Sequence, residues 1–138
     1  MSELRLDPTT REWVVIAPER GGRPRELTAP ERRNPELFLQ SCPFCPGNES
    51  QTTGEVASYP DDATGRWRVR VFENKYPAVR PGGGTERDVE HPLALSLPGV
   101  GVHEVVVESA RHDRLIAQMD DDEVYDVVRA YRDRLRAL

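Results

Sequence analysis

The only two cysteines of this 138-residue chain, Cys42 and Cys45, are separated by two residues. Two thiolates at this spacing can bind one tetrahedral metal ion, because the turn between them brings both sulfur atoms to the same side. A redox-active pair would normally open a helix, whose N-terminus lowers the pKa of the thiol. Here Pro43 and Pro46 favour a stiff loop instead. The pattern therefore favours a zinc site over a redox pair or two unrelated buried thiols, but two sulfur atoms make only half of such a site.

The chain has three histidines that could supply a further ligand: His91, His103 and His112. Residue chemistry alone does not choose among them, since any imidazole can bind zinc. His103 lies in an apolar run, so it could be a histidine satisfied in the core, or it could have a structural or substrate-side role. His112 alone would be interpreted as an exposed loop residue. The histidine ligand stays open at this point.

Composition predicts a single domain with a modest core, because 37% of the residues are hydrophobic. The net charge of −5 argues against a general nucleic-acid or membrane-surface binder. Several arginines between Arg11 and Arg33 still allow a local anion site. No apolar run has transmembrane length, and residues 1–5 lack the plan of a signal peptide. We therefore expect a cytoplasmic protein with no nucleic-acid or membrane partner.

Hydrophobic patterns predict the elements that must position the cysteines. Residues Leu4–Leu6 and Glu12–Ala17 flank a turn and predict a β-hairpin. Alternation predicts a half-buried strand over Arg66–Phe72, and Gly101–Glu108 is the strongest strand pattern. After an N-cap at Asp120, apolar residues recur at helical spacing. The predicted class is α+β, with a helix packed on an antiparallel sheet.

The remaining segments carry weaker patterns. Residues 18–48 predict a long ordered loop that ends at the cysteines, and residues 81–92 predict a mobile glycine-rich loop. Arg66, Arg68 and Arg70 could form a phosphate track, but a solvated strand face is the simpler interpretation. The last seven residues are still helical in pattern, so we expect a sheet that is incomplete at the carboxy terminus.

Four segments of the sequence carry a shared pattern: Arg5–Arg20 with Arg23-Pro24, Cys42–Glu49, Val71–Pro77 and Gly101–His112. In this order they resemble the galactose-1-phosphate uridylyltransferase family of the histidine-triad (HIT) superfamily. This resemblance implies a HIT-like antiparallel sheet, a half-barrel, with a helix packed on it. It also implies a nucleotidyltransferase of galactose metabolism that exchanges UMP between UDP-glucose and galactose 1-phosphate through a uridylyl-histidine intermediate.

The resemblance implies that Cys42, Cys45 and His112 are zinc ligands. In the family, the fourth ligand is the first histidine of a His-Pro-His segment that also carries the nucleophile. This sequence has no such segment, since His91-Pro92 is not followed by a second histidine. We therefore expect residues 1–138 to be an amino-terminal HIT-like domain with a structural zinc site and no catalytic residue of its own.

The resemblance also implies substrate-binding positions at Arg20, Arg23, Gln51, Asn74 and Lys75. The two arginines match positions that bind the phosphates of the nucleotide, in the family across a dimer interface, and guanidinium groups suit that task. The asparagine–lysine pair matches positions along the nucleotide, and Gln51 matches another that lines it. The alternatives are ordinary solvated arginines and a turn-forming Asn-Lys pair.

Three hypotheses for the function remain. The first is the amino-terminal portion of a hexose-1-phosphate uridylyltransferase, and the second is a relative that transfers adenylyl groups, of the ADP-sugar phosphorylase type. The third is a non-catalytic, zinc-stabilised module that binds nucleotides or a partner chain. We expect either a homodimer or an association with a carboxy-terminal half, because an unpaired strand position would leave apolar surface exposed.

Overall fold

The computed structural model of the chain describes residues 2–23, 36–91 and 93–138. It divides into two compact units: the first unit is Met1–Leu27 with Tyr76–His103, and the second unit is Thr28–Lys75 with Glu104–Leu138. Within the described residues, the elements are β1 (Glu3–Leu6), β2 (Trp13–Ile16), β3 (Glu55–Pro60), β4 (Trp67–Glu73), β5 (Asp88–His91), β6 (Ala94–Pro98), β7 (Glu104–Val107) and α1 (Asp121–Ala137).

The first unit is built on an antiparallel sheet with the strand order β2-β1-β6-β5. The predicted amino-terminal hairpin is confirmed, with Leu4 opposite Val15. Its turn forms because the carboxylate of Asp7 accepts a hydrogen bond of 2.7 Å from the backbone N–H of Thr9. On the other side of β1, Leu4 lies opposite Leu97 of β6. The sheet is thus held mainly by its ladder of backbone hydrogen bonds.

The second unit contains an antiparallel sheet with the order β3-β4-β7 and helix α1 packed on β4. Strand β4 is central, which explains why its apolar residues are the most deeply buried: Val69 and Val71 are fully enclosed. The core cluster of this unit consists of Tyr59, Val69, Val71, Val127 and Ala130.

Helix α1 begins where the sequence predicts. The Asp120 carboxylate accepts a hydrogen bond from the Glu123 backbone N–H, and the Glu123 carboxylate accepts one from the Asp120 N–H, both at 2.9 Å. This reciprocal pair is a capping box, which satisfies two otherwise unpaired donors. Val127 and Ala130 face the core, whereas Val128 and Leu135 are exposed. The predicted class, antiparallel sheet with a packed helix, is confirmed.

Several details differ from the prediction. The strands form two sheets rather than one. Strands β3 and β6, each of which ends in a proline, were not predicted, and β5 lies inside the predicted loop of residues 81–92. The predicted loop of residues 18–48 begins with a 3₁₀ turn at Pro18–Gly22, and its residues 24–35 lie outside the described part, as does Pro92.

The predicted solvated face of β4 is wrong for Arg70, which is only 4% exposed. Its guanidinium donates to Glu55 at 2.8 Å and to Thr52 at 2.9 Å, and it lies over the ring of Phe72. Alternation along a strand assigns Arg70 to the outer face, but side chains from β3 and the preceding turn cover that face here.

Among the described residues, no helix is both long enough and apolar enough to span a membrane.

Candidate metal centre

Cys42, Cys45 and His112 converge in the second unit, with their ligand atoms all within 4.8 Å of one another. The Sγ of Cys45 lies 3.5 Å from Nδ1 of His112. In a tetrahedral zinc site, bonds of about 2.3 Å to sulfur and 2.0–2.1 Å to nitrogen place those two atoms about 3.5 Å apart. The three ligand atoms are therefore close enough together to bind one metal ion, and the distance between Cys45 Sγ and His112 Nδ1 fits a tetrahedral site.

Successive tight turns make the two sulfur atoms converge. The backbone N–H of Cys45 donates to the carbonyl of Cys42 at 3.2 Å, and the N–H of Asn48 donates to the carbonyl of Cys45 at 3.1 Å. Within the second turn Gly47 has a φ of 92°, a left-handed conformation that favours glycine. The N–H of Leu39 points at Cys45 Sγ from 3.4 Å. Residues 42–48 thus form a loop of tight turns, as Pro43 and Pro46 predict.

His112 reaches the cysteines from the connection that follows β7. Its backbone N–H donates to the carbonyl of Leu37 at 3.0 Å, which ties this connection to the segment just before the cysteines. Cys45 is 3% exposed, whereas the His112 side chain is exposed. Burial raises the pKa of the Cys45 thiol above its usual value. A metal ion would displace that proton, since the thiolate is the form that binds metals.

The cysteine loop is fastened to the core strand β4 by two contacts. The indole N–H of Trp67 donates to the Glu49 carboxylate at 2.8 Å, and the N–H of Gly47 donates to the same group at 2.9 Å. The hydrogen bond from Trp67 is the main reason why the pKa of Glu49 lies below its usual value. Phe44, between the cysteines, stacks on Phe72 with a centroid distance of 6.0 Å. Both contacts limit the motion of the loop that carries the candidate ligands Cys42 and Cys45.

Asn48 is a buried residue of the site that the sequence analysis missed. It lies there within the segment Cys42–Glu49, without a role of its own. In the structure its side-chain amide donates to backbone carbonyls of the loop, at 2.7 Å to Cys42 and 3.0 Å to Gln40. The one available signal was an asparagine directly after a glycine and next to a cysteine pair, which is typical of a turn but says nothing about burial.

The three candidate ligands open onto a cavity of about 220 Å³. Phe44, Met119 and Arg114 contribute to its wall. The Arg114 guanidinium donates to Glu123 at 2.6 Å, so it also connects the cavity wall to the first turn of α1.

The predicted substrate-binding residues occupy both units. Arg20 lies half-buried in the 3₁₀ turn of the first unit, and Arg23 is exposed at its end. Gln51 ends the short turn Glu49–Gln51 of the second unit, and Asn74 and Lys75 follow β4 directly. Nothing in this placement tests a nucleotide-binding role, which stays a prediction.

His103 lies in the first unit and is not part of the candidate metal cluster found among the described residues. Its Nδ1 accepts a hydrogen bond of 2.9 Å from the N–H of Ala78, which assigns the ring proton to Nε2 when the ring is neutral. Burial lowers the pKa of His103, and the charges of Arg20 and Arg23 lower it further. His91 lies on β5. Of the three histidines, the structure brings His112 to the cysteines.

Comparison with known proteins gives consistent matches. The family model described as "Galactose-1-phosphate uridyl transferase, N-terminal domain" matches residues 1–138. An ADP-glucose phosphorylase from Arabidopsis thaliana is 34% identical over 99% of this chain and 39% of its own length. A galactose-1-phosphate uridylyltransferase from Cryptococcus neoformans is 30% identical over 94% of this chain and 33% of its own length. The chain thus spans less than half of the relatives that it matches.

Solved structures are similar in the same way. The crystal structure of an ADP-glucose phosphorylase from Arabidopsis thaliana with bound ADP-glucose has a TM-score of 0.54 and 32% identity. It matches 99% of this chain and 38% of that one. A uridylyltransferase mutant has a TM-score of 0.59 and 25% identity, over 98% of this chain and 34% of its own.

Proposed function

This chain belongs to the galactose-1-phosphate uridyl transferase family, whose N-terminal domain it matches throughout, and from that membership we propose its role. It supplies the zinc-binding part and a portion of the nucleotide-binding part of a nucleotidyltransferase. The reaction is the exchange of UMP between UDP-glucose and galactose 1-phosphate. The observation that carries the proposal is the convergence of Cys42, Cys45 and His112 within a chain that matches this family along its whole length.

The proposed metal is zinc, and the donor set supports it. Two thiolates and one imidazole suit zinc, whereas magnesium and calcium prefer oxygen ligands. The 3.5 Å separation between Cys45 Sγ and His112 Nδ1 fits a zinc tetrahedron. Zinc bound here would join the cysteine loop to the connection after β7, and its role would be structural. The fourth ligand belongs to the His-Pro-His segment that the family resemblance implies.

Five residues are proposed to bind the nucleotide sugar: Arg20, Arg23, Gln51, Asn74 and Lys75. The arginines would donate fixed, permanently charged hydrogen bonds to the phosphates. The amide of Asn74 can both donate to and accept from a ribose or base. The chemistry of these groups supports the proposal, together with the positions that they occupy in the family pattern.

The nucleophile is proposed to be a histidine of a His-Pro-His segment, which this sequence does not contain. Attack by that histidine on the nucleotide's α-phosphorus would release the sugar phosphate and leave a uridylyl-histidine, which divides the transfer into two steps. Incubation of this chain with UDP-glucose labelled in the uridine should therefore leave no label on it. Stable labelling of a histidine in this chain would contradict the assignment.

An adenylyl-transferring function is the second candidate. It is favoured by the 34% identity to an ADP-glucose phosphorylase. A non-catalytic, zinc-stabilised binding module is the third. Calorimetric titration of the purified chain with UDP-glucose and with ADP-glucose separates the first two functions. The nucleotide sugar that binds more tightly identifies the base that the chain recognises. Zinc binding without affinity for either nucleotide sugar would favour the third.

The binding residues are tested in the same titration. Replacing Arg20 and Arg23 with alanine should weaken nucleotide-sugar binding by about tenfold or more, because two charge-assisted contacts are lost. Arg66→Ala is the matched control, since Arg66 is exposed in the second unit. Equal affinities for the double variant and the control would contradict the assignment of the arginines.

The proposed partner is a second copy of this chain or a carboxy-terminal half. Light scattering coupled to size exclusion measures the mass of the purified chain and so tests self-association. A mass equal to that of one chain at all concentrations would exclude the homodimer.

A further inference from the structure

We propose that Asn48 is a positioning residue for the metal: its side-chain amide fixes the backbone on which Cys42 and Cys45 present their sulfur atoms. The inference rests on the proposed zinc site. It starts from the observation that Asn48 is buried, with 9% of its surface exposed, in the same loop that carries the buried Cys45.

The side-chain hydrogen bonds found for Asn48 go to the backbone that leads to and includes the first cysteine. Its Nδ2 lies 2.7 Å from the Cys42 carbonyl, 3.0 Å from that of Gln40 and 3.5 Å from that of Leu39. An amide nitrogen carries two hydrogens, so the two shorter contacts use both donors fully. One side chain thereby satisfies carbonyl oxygens that would otherwise need hydrogen bonds from water.

These bonds act directly on both cysteines. The Cys42 carbonyl receives the Asn48 amide and also the backbone N–H of Cys45, so both of its lone pairs are occupied. The backbone N–H of Asn48 donates to the Cys45 carbonyl at 3.1 Å. Asn48 therefore holds the carbonyl of each cysteine while touching neither sulfur atom. Groups that orient metal ligands in this way raise metal affinity, because less order has to be created on binding.

The chemistry of the amide is specific. Aspartate has nearly the same shape as asparagine but no donor when ionised, and it would place a carboxylate oxygen against two carbonyl oxygens. Glutamine would carry the amide one methylene too far. Gln40→Glu makes the same amide-to-carboxylate change in the same loop, at a side chain that is exposed, and so provides the matched control.

The test compares zinc affinities of the wild-type chain, Asn48→Asp and Gln40→Glu by competition with a chromogenic chelator. We expect Asn48→Asp to bind zinc about 10- to 100-fold more weakly, the usual cost of losing a group that orients ligands. Gln40→Glu should bind close to the wild type. A purely structural role would lower the metal-free Tm and leave the zinc-induced rise in Tm unchanged, whereas the inference predicts that this rise becomes smaller.

A second variant, Asn48→Ala, covers the case in which Asn48→Asp does not fold without metal. Zinc titration followed by circular dichroism then gives apparent affinities for both variants, because metal binding and folding are coupled. Wild-type affinity in both variants would overturn the inference and leave the zinc site intact. A folded wild-type chain that binds no zinc would contradict both the proposed zinc site and the inference about Asn48.

Discussion

Among the described residues, the second unit buries a cluster of apolar side chains between β3, β4 and α1, whereas the first unit buries only Gly99. Both units contain an antiparallel sheet of short strands, so the difference does not come from the strands. It comes from α1, which covers one face of the second sheet. On the first sheet, Trp13, Val14 and Val15 of β2 are each more than one third exposed.

The candidate metal ligands belong to the unit that has the core. Their loop is fastened to β4 through Phe44 on Phe72 and through Glu49 on Trp67. A metal site needs ligand atoms held to within fractions of an ångström, and buried elements provide that rigidity. Arg20 and Arg23, which are proposed to bind phosphate, belong to the first unit. The difference in burial between the two units predicts that matched side-chain truncations cost more stability in the second unit than in the first.

The largest difference is expected for the same substitution made in both sheets. Val71→Ala removes two methyl groups from a fully buried position on β4 and should lower the free energy of unfolding by about 2–3 kcal/mol. Val15→Ala, on β2 and 44% exposed, should cost only about 0.5 kcal/mol. Urea unfolding followed by circular dichroism measures both. Equal losses would show that the first unit has a core of similar strength.

An intermediate difference is expected for arginine. Arg70→Ala leaves Thr52 without its donor and removes a buried side chain whose guanidinium lies over Phe72, at a cost of about 2 kcal/mol. Arg5→Ala in the first unit removes an exposed pair with Glu3 and should cost less than about 0.5 kcal/mol. The same urea experiment tests the pair, and a large loss from Arg5→Ala would break the contrast between the units.

The smallest effect concerns Gly99, the most crowded glycine in the described part of the first unit. A Cβ at Gly99 would lie 2.8–3.0 Å from atoms of Ser2, two of them backbone, so Gly99→Ala should cost about 1–2 kcal/mol. Gly54→Ala in the second unit meets nothing within 4 Å and should change stability by less than about 0.5 kcal/mol. Amide hydrogen exchange in β1 should become faster only in the first variant. Unchanged exchange would indicate that this contact does not stabilise the first sheet.

The sequence predicted the hairpin, the central strand, the helix with its N-cap and the cysteine pair, because each depends on local patterns. It did not predict the burial of Arg70, since alternation along β4 carries no information about what β3 and Thr52 would cover. Asn48 was also missed, because its partners are backbone carbonyls, whose positions cannot be inferred from residue types. His112 was singled out by family resemblance, and folding had to bring it to Cys45, which is 67 residues away in the sequence.

The central claim is that Cys42, Cys45 and His112 bind zinc. Zinc K-edge X-ray absorption on the purified wild-type chain tests it most directly, because the spectrum reports the type and distance of the ligand atoms. We expect about one zinc per chain, with two sulfur atoms at about 2.3 Å and nitrogen at about 2.0–2.1 Å from the ion. A folded chain without zinc, or a zinc ion bound only by nitrogen and oxygen, would contradict the claim.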